Sequence, residues 1–82
     1  MRRFFFDLLV GNVVKIDPSG MVFEHARATF VVADEMAKHL FVWRDDLRDC
    51  DAWIRVRDDG GREIYRAAVW AESAERAGWD QA

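Results

Sequence analysis

The sequence predicts a small α+β domain with the element order β-β-α-β-β, in which a four-stranded antiparallel sheet carries one helix on one face. Three observations predict it. Two β-rich runs flank Gly11-Asn12, an amphipathic stretch follows a turn at residues 17–20, and two further β-rich runs flank the loop at residues 58–61. The domain is predicted to span residues 1–70, and residues 71–82 to form a tail or a short terminal helix.

The first hairpin opens the domain. Strand one is predicted from Arg3 to Val10 and strand two from Val13 to Asp17, and Gly11-Asn12 can supply the positive φ that a tight turn requires. The run Phe4-Phe5-Phe6 places apolar side chains on both faces of strand one, because successive side chains of a strand alternate. Strand one is therefore predicted to be central in the sheet.

An amphipathic helix is predicted from His25 to Val42. The turn at residues 17–20 ends the first hairpin, and residues 21–24 are interpreted as a short connector without a strand. Beyond it, apolar residues recur at three- and four-residue spacing, as they do on the buried face of a helix. That predicted stripe consists of Ala26, Phe30, Ala33, Ala37 and Leu40 or Phe41.

A second hairpin is predicted after a charged connector at residues 44–51, with strands at residues 52–57 and 62–70. A three-residue loop with Gly61 in a bulge would pair the first strand toward Ile64 and Ala68. A loop of two or four residues is preferred, because it keeps Arg66 out of the core. The preferred register creates one apolar face, made of Ala52, Ile54, Val56, Tyr65, Ala67 and Val69.

Size and charge bound the function. Folding of an 82-residue chain buries only about 63% of the surface of the unfolded chain. Small domains of this kind gain stability by pairing, so we expect a homodimer. A net charge of −3 makes nucleic-acid binding unlikely without excluding a local basic patch.

The compartment is predicted to be the cytoplasm. Cys50 is the sole cysteine, so no intrachain disulfide can form. Arg2-Arg3 before an apolar run is reminiscent of a secretory leader, but Asp7 interrupts the run and no small-residue cleavage site follows. No apolar run approaches the roughly 20 residues that span a bilayer, so no membrane association is expected.

Several short motifs are spread along most of the chain: Arg3-Phe4-Phe5-Phe6-Asp7 in the opening strand, the Asp-x-x-Gly turn at residues 17–20, and Asp58 to Arg62 in the closing hairpin. In these motifs and in its Ala-rich helix, the chain resembles a large bacterial family of short proteins classed as a domain of unknown function. Val10 in the turn, the bulky helix and the four Trp residues depart from the usual pattern. The resemblance implies a fold and a cytoplasmic bacterial setting, with no established activity.

No catalytic, cofactor or metal site is predicted, and we expect the protein not to be an enzyme. His25 and His39 lack the spacing of a zinc site, and Glu35 with His39 is an ordinary solvated pair. Asp49 and Asp51 flank Cys50 and disfavour its reactive thiolate. The acidic run 45–51 lacks the Gly and the distal Glu of a calcium loop, and the acidic hairpin turn is no phosphate cradle.

One surface stands out as a candidate interaction face. In the preferred register, aromatic and Arg side chains of the second hairpin lie on the sheet face opposite the helix. This face consists of Trp53, Arg55, Arg57, Arg62, Arg66 and Trp70, with Ile64 beside them. Such a face can bury against another subunit or stack bases, or the tail with Trp79 can cover it.

Two hypotheses follow. The first is a non-catalytic interaction module that self-associates through this sheet face or binds a protein partner there. The alternative is a nucleic-acid-linked regulator such as an antitoxin-like protein. The acidic chain favours the first hypothesis.

Overall fold

A computed structural model describes residues 1–44 and 51–69. Within them, one helix packs against one antiparallel sheet. The elements in chain order are β1 (Arg2–Val10), β2 (Val13–Lys15), β3 (Met21–Phe23), α1 (Ala26–Trp43), β4 (Ala52–Arg57) and β5 (Glu63–Ala68). The predicted α+β class is confirmed, with five strands in the described residues rather than four.

The strand β1 is central, as predicted. The sheet order is β2-β1-β4-β5, and β3 pairs with the first residues of β1. Residues 13–23 thus run antiparallel along β1, first as β2 against residues 8–10 and then as β3 against residues 2–4. The prediction of a connector at residues 21–24 was wrong: Gly20 adopts a left-handed φ of 71°, and the chain returns to the edge of β1, where Met21–Phe23 pairs as β3.

The second hairpin combines both alternatives that the sequence left open. Its loop is the three-residue one: Asp58 N donates to Arg62 O, Gly61 N donates to Asp58 O, and Gly61 has a φ of 86°. A register shift between Val56 and Arg57 then adds one residue to β5. The shift restores the preferred pairing, in which Val56 opposes Tyr65.

The core lies between α1 and one face of the sheet. The buried helix residues are Thr29, Ala33 and Ala37, whose small side chains let the helix approach the sheet closely. Phe30 was predicted to lie within the buried stripe, but it is only half-buried and stacks on Tyr65 at the margin of the core. The sheet side of the core consists mainly of Phe4, Phe6, Ala52, Ile54, Val56, Ala67 and Val69.

Several predicted features lie outside the described residues: the terminal segment 71–82 with Trp79, Cys50, and most of the charged connector. In the described residues, no helix is long and apolar enough to cross a membrane.

Candidate functional site on the distal sheet face

The sheet face opposite α1, here called the distal face, is organised in rows by the strand register. One row, the apolar row, crosses four strands and consists of Val14, Leu9, Trp53 and Ala68. The next row consists of Asp7, Arg55 and Arg66. The third consists of Phe5, Arg57 and Glu63. Because cross-strand partners share a face, each row brings side chains from distant parts of the sequence into contact.

Asp7 is the centre of the polar rows. Its carboxylate has no exposed surface. Arg55 donates to Oδ2 from Nε at 3.0 Å and from Nη2 at 2.7 Å, and Arg57 donates to both carboxylate oxygens. The backbone N–H of Asp17 donates to Oδ1 at 2.9 Å. Five donors therefore satisfy one buried carboxylate, and we call Asp7, Arg55 and Arg57 the ionic cluster.

The ionic cluster is held in its charged state. Burial raises the pKa of Asp7, but hydrogen bonds from Arg57, the Asp17 amide and Arg55 outweigh burial and hold that pKa below the ordinary aspartate value. The same contact with Asp7 raises the pKa of Arg57. At neutral pH the cluster therefore contains one anion and two cations that are paired within the monomer.

The turn after β2 supports the cluster from the side. The Asp17 carboxylate accepts the backbone N–H groups of Ser19 and Gly20, and its other oxygen accepts the N–H of Phe6 at 3.1 Å. Asp17 thereby satisfies a β1 group in the gap between β2 and β3. The sequence predicted this turn as the end of the first hairpin but did not predict its contact with Asp7.

Two guanidinium groups stack on aromatic rings of the distal face. The Cζ atom of Arg57 lies 4.9 Å from the centroid of the Phe5 ring, and that of Arg66 lies 5.6 Å from the Trp53 ring. Arg66 also forms a two-donor ion pair with Glu63. The indole N–H of Trp53 donates to Asp51. Both cations therefore lie over aromatic rings and are paired with acids.

The structure sorts the predicted face residues into three groups. It brings Trp53, Arg55, Arg57 and Arg66 together on the distal face. Arg62 lies in the exposed turn, where its N–H donates to Asp58, and Trp70 lies outside the described residues. Ile64 was placed on this face, but the register shift in β5 turns it toward the core cluster instead.

The roles expected of Arg55 and Arg57 also need correction. Both were predicted only as members of an interaction face that a partner covers. Their side chains are only 22% and 21% exposed and they bind a buried carboxylate, so replacing either leaves Asp7 short of donors. Only Arg62 and Arg66 are exposed arginines among those predicted.

Outside the distal face, residues 1–44 and 51–69 contain the two histidines of the chain and a shallow cleft. No group of three or more His, Cys, Asp or Glu side chains in this part of the chain is placed to hold a metal ion. His25 and His39 are both exposed, and Glu35 forms its ion pair with Lys38 at 3.7 Å. A shallow cleft at the start of α1 is lined by Arg2, His25, Arg27 and their neighbours, and the helix start has no side-chain cap.

A match to a protein family establishes the chain's relationship. A family model described as a domain of unknown function, DUF6894, matches residues 3–70. The chain belongs to this family. The match covers the helix and all the strands described above except Arg2, the first residue of β1, so the DUF6894 domain is the sheet-and-helix unit itself. No curated protein and no solved structure matches the chain.

Within this DUF6894 domain, Asp7 is the residue that sequence reasoning missed. A signal was present: Asp7 interrupts an apolar strand, and Arg55 and Arg57 alternate on another strand. An acid in a central strand must be paired to be buried, and alternate arginines on one strand face are its natural partners. Only the register between the two strands identifies the pair, and that register joins residues 48 positions apart.

Proposed function

We propose that this protein is a non-catalytic interaction module of the cytoplasm that self-associates through its distal face. The occupant is a second copy of the chain, packed distal face to distal face. The observation that carries the proposal is the ionic cluster, because it pairs two arginines of the distal face with a carboxylate of the same chain beside the apolar row.

Pairing of the charges within the monomer lowers the cost of docking. A charged group loses its hydration when a partner covers it, and the loss is costly unless a counter-charge is already in place. Arg55 and Arg57 already lie against Asp7, and Arg66 lies against Glu63. A second copy can therefore cover this face without leaving an arginine unpaired.

The apolar row supplies the attraction. Leu9, Trp53 and Val14 are all at least partly exposed, and Val14 is 46% exposed. Trp and Arg are the residue types most enriched at interface hot spots, and Arg66 stacked on Trp53 provides both. Burying this row against its symmetry mate removes apolar area from water on both copies.

The same pairing disfavours the nucleic-acid alternative. A phosphate needs guanidinium donors, but Arg55 and Arg57 each direct Nε and Nη2 at the Asp7 carboxylate. Arg66 directs the corresponding atoms at Glu63. An RNA phosphate would have to share these cations with the acids that already pair with them, whereas packing against protein leaves the pairs as they are.

Light scattering on a size-exclusion column at high micromolar concentration tests the proposal. We expect an associated parent, and a smaller mass for both Trp53→Ala and Arg66→Ala. Arg66 is 41% exposed, so its removal affects folding little and separates association from stability. The matched control is Trp43→Ala, which removes an indole that is 75% exposed at the end of α1 and should leave the mass unchanged.

Two results would contradict the proposal. One is a parent that elutes as a monomer at every concentration. The other is tight binding of single-stranded RNA that weakens steeply with salt and with Arg66→Ala, which would favour the nucleic-acid alternative instead.

A further inference from the structure

The strand β2 is an unusually apolar sheet edge. All three of its residues are exposed, and Ile16 follows directly. Val13 is 62%, Val14 46% and Ile16 55% exposed, so Lys15 is the one charge in this run of four. Natural edge strands are usually protected by charge, proline or a covering segment, and such an apolar edge marks a pairing site.

The backbone of Val14 is directed toward the open side of this edge. Val10 and Val13 flank a two-residue turn and form a hydrogen-bonded pair, so the alternation of antiparallel pairs leaves Val14 without hydrogen bonds to β1. The Phe6 N–H donates to the Asp17 carboxylate. Phe6, Leu8 and Val10 are alternate residues of β1, so their backbone groups all point toward β2. Within the described residues, β2 pairs with β1 alone.

Charge disfavours a register centred on Lys15 for pairing with a second copy. If Val14 opposes its symmetry mate, Val13 opposes Lys15 of the other copy, and the apolar stem of Lys15 covers Val13. Shifting the register by one step along the edge brings Lys15 opposite Lys15, and directly opposed like charges destabilise a sheet. The register centred on Val14 therefore avoids repulsion and pairs both open backbone groups.

The apolar row ends at this edge. Val14 is its outermost member, followed inward by Leu9, Trp53 and Ala68. Pairing about Val14 joins two such rows end to end on the same sheet face, and the joined row is twice as long. The edge contact thus enlarges the surface on which the proposed face-to-face association depends.

We propose that β2 pairs antiparallel with β2 of a second copy, centred on Val14, and joins two sheets into one. The edge contact itself does not depend on the proposed function, but the number of chains in the assembly does. The two-fold axis of the edge contact is perpendicular to the sheet, and that of the face contact lies parallel to it. Where these two axes intersect, chains that use both contacts form a closed tetramer with perpendicular two-fold axes, a common symmetry of soluble oligomers.

Cysteine cross-linking tests the edge contact directly. Opposed residues of a hydrogen-bonded antiparallel pair have Cα atoms about 5.5 Å apart, a separation that a disulfide spans. In a Cys50→Ser background, Val14→Cys should give a disulfide-linked pair of chains under mild oxidation. Val22→Cys is the matched control, because Val22 is 48% exposed on β3 and should cross-link several-fold less.

A second variant tests the edge contact by light scattering, without an introduced cysteine. Val13→Lys places a charge opposite Lys15 of the second copy, on the sheet face that carries α1 and away from the apolar row, so the mass measured by light scattering should fall to half that of the parent. Trp53→Ala should also halve the mass, but through the other contact, and the two changes together should give monomers.

The outcomes separate the two proposals. Selective cross-linking at Val14 with no effect of Trp53→Ala on mass supports the edge contact and contradicts the face contact. Equal cross-linking of the Val14 and Val22 variants, or none in either, overturns the edge contact whatever the face does.

Discussion

Asp7 and Arg55 are directly opposed on neighbouring strands, and two guanidinium nitrogens of Arg55 donate to one oxygen of a carboxylate that has no exposed surface. Arg57, two residues further along β4 and on the same face, donates to both oxygens of that carboxylate. The pair joins the two central strands of the sheet on the face away from the core. It therefore stabilises the fold and shapes the candidate interaction face at the same time.

Removing the Asp7 charge should destabilise the domain. Asp7→Asn leaves two guanidinium groups without their anion, and breaking a buried ion pair costs about 3 kcal/mol when the cations retain some exposure. Urea unfolding followed by circular dichroism measures the loss. Asp59→Asn, in the exposed hairpin turn, is the control and should change the free energy of unfolding by less than about 0.5 kcal/mol. An Asp7→Asn variant as stable as this control would contradict the role assigned to the ionic cluster.

The ionic cluster also predicts the pH dependence of stability. The pKa of Asp7 in the folded protein is lowered by Arg57, the Asp17 amide and Arg55 in spite of burial, so the folded state binds this proton less readily than the unfolded chain. Its contribution is complete above the unfolded pKa of about 3.9 and is lost as pH falls through the folded pKa. Asp17 acts with the same sign.

The free energy of unfolding should therefore fall steeply in the parent below about pH 4 and less steeply in Asp7→Asn. Urea titrations at a series of pH values test this. Parallel curves for the two proteins would show that Asp7 is not the group responsible.

Gly20 should tolerate alanine less well than Gly11 does. Both have a positive φ, which costs a residue with a side chain about 1 kcal/mol. A Cβ atom at Gly20 would also lie 2.6 Å from the carbonyl oxygen of Phe4 and 2.9 Å from the Phe5 ring, whereas at Gly11 nothing lies within 4 Å. Thermal unfolding should show that Gly20→Ala is less stable than Gly11→Ala by at least about 1 kcal/mol. Equal losses would mean that the turn relaxes without disturbing β1.

Phe30 should contribute less than a fully buried phenylalanine. Its ring stacks on Tyr65 with centroids 4.4 Å apart and an interplanar angle of 17°, but the side chain is half-buried. Phe30→Ala should therefore cost about 2 kcal/mol rather than the roughly 3 to 5 kcal/mol of a fully buried ring. Val31→Ala, at the neighbouring position that is 62% exposed, should be nearly neutral. A loss for Phe30→Ala no larger than the Val31 control would show that the stacking adds nothing.

The sequence was a good guide to elements whose signal is local. The Gly11 turn, the helix and the Asp58–Gly61 loop each combine a turn residue with a clear apolar period, and each lies where it was predicted. The strand β3 was missed because three residues are too few to show a period. The pairing of β3 depends on the turn at Asp17, which holds the chain against the edge of β1.

The candidate site was predicted only in part. The alternation of Trp53, Arg55 and Arg57 placed them on one face, and that placement is correct. Their ion pairing with Asp7 was not predicted, because it depends on the register between strands far apart in the sequence. The prediction for Ile64 was wrong for a related reason. The register shift in β5 contains no glycine, so no residue type in the sequence indicates it.

A dilution series followed by two-dimensional NMR tests the central claim most directly, that the distal face is the surface of self-association. With rising concentration, the signals of Leu9, Trp53 and Arg66 should shift and saturate, while the indole signal of Trp43 on α1 should stay in place. Shifts confined to α1, or no shifts up to high micromolar concentration, would contradict the claim.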